Sequence, residues 1–98
     1  MLASEHMEQQ PGVTFANFIV SLGATAAIHL GDVADPSVGT TQVNLPAAGQ
    51  MIDILAMLQE KTKGNLAADE QQLVDDLLYE LRMRYIEASQ QDRRIITP

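Results

Sequence analysis

The sequence predicts an all-α protein of three helices, at about residues 15–30, 45–63 and 68–88, with helices two and three paired as an antiparallel hairpin. Three observations predict it. Apolar residues recur at helical spacing in each segment, as in Val74, Leu77, Leu78, Leu81, Tyr85 and Ala88. Cap-forming residues stand at the segment ends, Thr14 and Asn44 in front, Gly31 and Gly64 behind. Only a few residues separate the second segment from the third, which leaves room for a tight helix–helix turn and nothing longer.

Residues 1–12, MLASEHMEQQPG, are polar, end in Pro-Gly and show no periodicity, so a flexible tail is expected before a single helical domain over 13–88. Thr14 is placed to cap helix one, with Val13 and Phe18 at the two positions of a hydrophobic staple. The helix contains no acid, lysine or arginine. Around its axis Phe15, Phe18, Ile19, Leu22, Ala26 and Leu30 form a large-residue face, while Ala16, Val20, Gly23, Ala24 and Ala27 form a smooth, small one. Only Asn17, Ser21 and Thr25 interrupt the apolar girth. Burying each of its large residues contributes about 1.5–3 kcal/mol, a sum comparable with a domain's net stability of about 5–15 kcal/mol. Both faces are therefore expected to be covered by protein.

Residues 31–44, GDVADPSVGTTQVN, read as a connecting loop, long for so small a domain. Asn44 then caps helix two, with Pro46 in the first turn, where no intrahelical donor is required. Its main face is Ala47, Met51, Ile54, Leu55 and Leu58, and Lys61 and Lys63 complement the negative end of the helix dipole. In helix three, Asp69 and Glu70 favour the N-terminus, Glu80 and Arg84 are spaced for an i,i+4 pair, and Tyr79, Met83 and Ile86 form a second apolar stripe. From Ser89 the chain is polar, and residues 89–98 are expected to be a second flexible tail.

Composition narrows the function classes. The chain has 98 residues, a formal net charge of −7 and no cysteine. Disulfides and thiolate metal sites are thereby excluded, and a cytoplasmic protein of a reducing compartment is expected. Residues 1–60 carry Glu5, Glu8, Asp32, Asp35, Asp53 and Glu60 but no Lys or Arg. Nucleic acid and anionic lipid both require a cationic footprint, and the basic pairs Lys61/Lys63, Arg82/Arg84 and Arg93/Arg94 are each diluted by acids, so neither partner is expected. Ala24-Thr25-Ala26 mimics a signal-peptide cleavage site, but what precedes it is acidic or neutral where a basic region is required. A spanning helix needs about 20 apolar residues, and the oily stretch is too short and too polar for stable membrane insertion.

The words IDILAMLQEKTKGNL and LLYELRMRYIE, preceded by the FANFIVSLGATAAIHLGDV helix, carry a resemblance to a bacterial family known only as a domain of unknown function. It covers about Phe15 to Glu87. The resemblance implies a small, mostly helical, cytoplasmic bacterial protein with no established activity, cofactor or catalytic residues. One departure is visible: the turn before helix three in that family is usually Asn-Leu-Thr-Pro, whereas here Ala67-Ala68 follow Asn65-Leu66. Loss of a Thr cap costs about 1 kcal/mol and puts the start of that helix in question.

Candidate chemistry is sparse. His29, Asp32 and Asp35 form an H-x-x-D-x-x-D run with metal-ligand types, but a helix end running into a loop that holds Pro36 does not guarantee convergence. The plainer reading has His29 packing at the edge of the large face and the two Asp residues serving the loop. Asp53 lies in a helix apolar around most of its girth, so a buried pair with Arg82 is one reading and a solvated edge the better one. No catalytic triad order and no phosphate-binding glycine loop are present, and "GDVADPSVG" lacks the Lys-Ser/Thr that a phosphate cradle requires.

The sequence therefore predicts a non-enzymatic interaction or assembly module without a cofactor, forming a homo-oligomer, most simply a dimer. Ala16, Val20, Gly23, Ala24 and Ala27 are its expected interface, so that Gly23→Leu should weaken assembly. Tyr79, Met83 and Ile86 are the expected surface for another protein. The alternative is a small-ligand or metal carrier using His29, Asp32 and Asp35, with Asp53 as a further contact, and attachment to a membrane surface through helix one is a third reading.

Overall fold

The computed structural model describes residues 13–96, with side chains through Gln91. The expected tail over 1–12 lies outside the described residues. Three helices follow in order: α1, Phe15–His29; α2, Leu45–Lys61; and α3, Ala68–Ile96. Each packs against the other two.

The caps explain the boundaries. Thr14, in extended backbone, accepts the Asn17 amide at 3.0 Å, and Asn44 accepts the Ala47 amide at 3.1 Å with Pro46 in the first turn. At the end of α1, Gly31 adopts φ +83°, its N–H reaching the Ile28 carbonyl and that of Asp32 the Ala27 carbonyl. This pair of bonds is a Schellman motif, and it satisfies carbonyls the helix would otherwise leave without donors.

The start of α3 lacks the Ser or Thr of a full capping box but keeps its other half. Glu70 reaches back to accept the Ala67 N–H at 2.9 Å. The departure from the Thr-containing turn is thus partly compensated, and α3 begins where expected. Its end differs: the expected helix over 68–88 continues to Ile96. No Gly or Pro stands between Gly64 and Pro98 to break it.

The core comprises Ile19, Ala26 and Leu30 from α1, Ala48, Ile52 and Leu55 from α2, and Val74, Leu78 and Leu81 from α3. Two corrections follow. On α2 the buried stripe is Ala48–Ile52–Leu55, rotated from the expected face, with Met51 and Leu58 only partly buried. Packing between two helices requires a wide apolar arc, and its centre lies between the contacts.

On α1 the buried stripe Ile19–Gly23–Ala26–Leu30 cuts across the two expected faces. A Cβ at Gly23 would lie 2.8 Å from Leu77 Cδ2, so this glycine admits a leucine of α3 into the core of its own subunit. The uncovered side of α1 includes Phe18 and Val20, about half exposed, together with Ser21 and Thr25. Those two hydroxyls bond back to the helix's own carbonyls, of Phe18 and Ser21 respectively. One subunit therefore covers only one side of α1, not nearly all of it.

The contacts fix the relative directions. Gln59 Nε2 donates to Asp75 Oδ1 at 2.7 Å and Gly49 lies under Tyr85, which makes α2 and α3 antiparallel. Gly23 meets Leu77, and Asp32, just past α1, meets Arg84, so α1 and α3 run parallel.

Candidate functional site

Between α2 and α3 lies a groove of about 410 Å³ lined by Gly49, Ile52, Asp53, Arg82, Tyr85 and Ile86. Its width follows from the sequence of α2, where the edge facing α3 carries Gly49, Asp53 and Ala56 at i, i+4 and i+7. The Tyr85 ring lies over Gly49, its Cε2 3.4 Å from where a Cβ would stand. Ile52, Tyr85 and Ile86 form an apolar lining, with the Asp53 carboxylate and the Arg82 guanidinium on opposite helices.

The groove continues onto the outside of α3. Ile86 lies on one stripe with Tyr79 and Met83, and the three are 48%, 69% and 43% exposed. Asp76, Glu80 and Glu87 border the stripe on the solvent side, all exposed. The expected partner surface is therefore open in the folded chain. Asp53 and Arg82 are both exposed and, among the described residues, make no ion pair, so the buried-pair reading is corrected: Asp53 lies on a solvated edge, and the two charges flank one groove.

The expected interface on α1 is divided. Val20 and Ala24 are exposed and Ala16 and Ala27 half-buried, but Gly23 is buried against Leu77 of the same chain and offers nothing to a second molecule.

The H-x-x-D-x-x-D run does not assemble. Asp32 accepts two bonds from Arg84, from Nε at 2.7 Å and from Nη2, forming a bidentate pair that ties the loop to α3. Arg84 thereby turns to Asp32 rather than to Glu80, its expected i,i+4 partner. Its pKa is raised, first by the Asp32 hydrogen bond and then by that carboxylate's charge.

Asp35 Oδ1 accepts both the backbone N–H of Ser37, at 2.9 Å, and its hydroxyl, at 2.7 Å. These two bonds hold the Asp35 carboxyl below its usual range. The Asp35 carbonyl accepts the Val38 and Gly39 amides, its N–H donates to the Thr40 carbonyl, and the Asn44 N–H closes on the His29 carbonyl at 2.7 Å. Both aspartates are thus engaged in building the loop. Among the described residues no three His, Cys, Asp or Glu side chains come together as metal ligands.

The family model described as a domain of unknown function, DUF1844, matches residues 12–87. The chain belongs to that family. No curated protein and no solved structure matches it. The match spans all of α1 and α2, the loop between them and α3 as far as Glu87, so the groove and the stripe both lie inside the family's domain. Among the described residues no helix is long and apolar enough to cross a membrane.

The groove is what sequence reasoning missed. Tyr85 reads from its spacing as core, and the Gly49–Asp53–Ala56 edge of α2 is the signal that would have located it. The Asp32–Arg84 pair joins residues 52 positions apart and leaves no local spacing to read.

Proposed function

We propose that this protein is a non-enzymatic, cytoplasmic interaction module that works as a homo-oligomer, with the outer stripe of α3 and the adjoining groove as its docking surface. One observation carries the reading: Tyr79, Met83 and Ile86 are large, exposed and contiguous on one side of a helix whose opposite side is already in the core. Scattered exposed apolar residues are ordinary, whereas a continuous stripe running into an apolar groove marks a contact surface.

Light scattering coupled to size exclusion tests the proposal on the wild-type chain and on a Met83→Glu/Ile86→Glu variant. The wild type should elute with the mass of more than one chain, and the variant as a monomer of unchanged helicity. A wild-type monomer, or a variant that assembles as before, would remove this role from the stripe.

A further inference from the structure

We infer that the occupant of the α2–α3 groove is a second copy of this chain, related by a two-fold axis, with Asp53 of each subunit paired to the partner subunit's Arg82. The inference rests on the docking role given above and adds its partner and its charge pairing. Three features converge. Asp53 and Arg82 stand on opposite helices of one apolar groove, both exposed, and among the described residues neither makes an ion pair. In a two-fold interface, whatever residue i does to residue j is repeated by j on i. The groove lining, apolar between Asp53 on one helix and Arg82 on the other, is complementary to itself under that operation, whereas a partner of a single charge sign would satisfy one and repel the other.

The charge layout of the chain favours the same occupant. Residues 1–60 hold acids and no Lys or Arg, and of the basic residues on α3 within the described side chains, Arg84 is already engaged by Asp32. Among the described residues Arg82 is therefore the unengaged cation of the groove, and the Asp53 side of another copy supplies the matching charge. The net charge of −7 opposes self-association, but at about 0.15 M salt repulsion between exposed charges is screened beyond about 8 Å, while pairs in contact are not.

Charge reversal tests the pairing in trans. Asp53→Arg alone sets like charges against the partner subunit's Arg82, and Arg82→Asp alone sets them against the partner subunit's Asp53. Each variant should fold with wild-type helicity, since neither residue is buried, and each should scatter as a monomer where the wild type is a dimer. An equimolar mixture of the two should recover the mass of two chains, because both pairs across the interface are then opposite in sign. The Asp53→Arg/Arg82→Asp double variant should dimerise by itself.

Single variants that remain dimeric, or monomeric ones that fail to recombine, overturn the pairing while leaving the α3 stripe as a docking surface. A wild-type chain that is monomeric throughout overturns the second-copy assignment together with the homo-oligomeric role proposed above.

Discussion

At Gly23 one missing Cβ decides whether α1 presents a smooth face outward or receives Leu77 inward. Gly23→Ala adds a methyl 2.8 Å from the end of a movable leucine, and relief of glycine's helix penalty, about 1 kcal/mol, offsets the crowding. Gly23→Leu adds a whole side chain there, for which overpacking costs of about 1–3 kcal/mol apply, and the net effect is a loss. Urea denaturation should therefore show the alanine variant close to wild type and the leucine variant less stable. An assembly role for Gly23 would instead lower the mass at unchanged stability.

Asp35 supplies a pH-dependent counterpart. Because the Ser37 hydrogen bonds depress its folded pKa, its contribution to the loop is present above the ordinary carboxyl value of about 3.9 and is lost as pH falls through the lower folded value. A carbon-detected carboxyl titration should place its midpoint below about 3.9, and Ser37→Ala should move it back. A wild-type midpoint at or above that value contradicts the assignment.

Among the elements, α3 is the least typical in its beginning and its end. Its first turn has the Glu70 half of a capping box without the hydroxyl half. Ala67→Thr should complete the box and raise stability by about 1 kcal/mol in urea denaturation. No gain would mean that the Ala67 backbone does not hold a cap geometry. The loop over 31–44 is held to α3 by Arg84, whose side chain is 44% exposed, with Asp32 at 28%. Such a pair contributes about 0.2–1 kcal/mol globally, so Arg84→Met should speed amide exchange at the end of α1 and in the loop while shifting the overall unfolding midpoint little. The three helices, their order and the first two N-caps were legible because caps and the 3.6-residue period are local signals. The last two turns of α3 were not, since a solvated helix and a tail share polar composition. Which stripe of α1 lies inside depends on Leu77, a residue 54 positions away in the chain by number, and no local pattern encodes that choice.

For the whole molecule, α2 and α3 cover one side of α1 and leave the stripe of α3 and the α2–α3 groove open, with Asp53 and Arg82 lining the groove on opposite helices. The stripe was legible because Tyr79, Met83 and Ile86 depart from the face that the helix hairpin already uses. The groove was not, since it exists only once Gly49 lets Tyr85 settle against α2. Self-pairing across that surface is the claim on which the functional account turns. Light scattering of the equimolar Asp53→Arg and Arg82→Asp mixture reads it most directly: the account predicts the mass of two chains from components that are each monomeric alone, and a mixture that stays at the mass of one chain would contradict it.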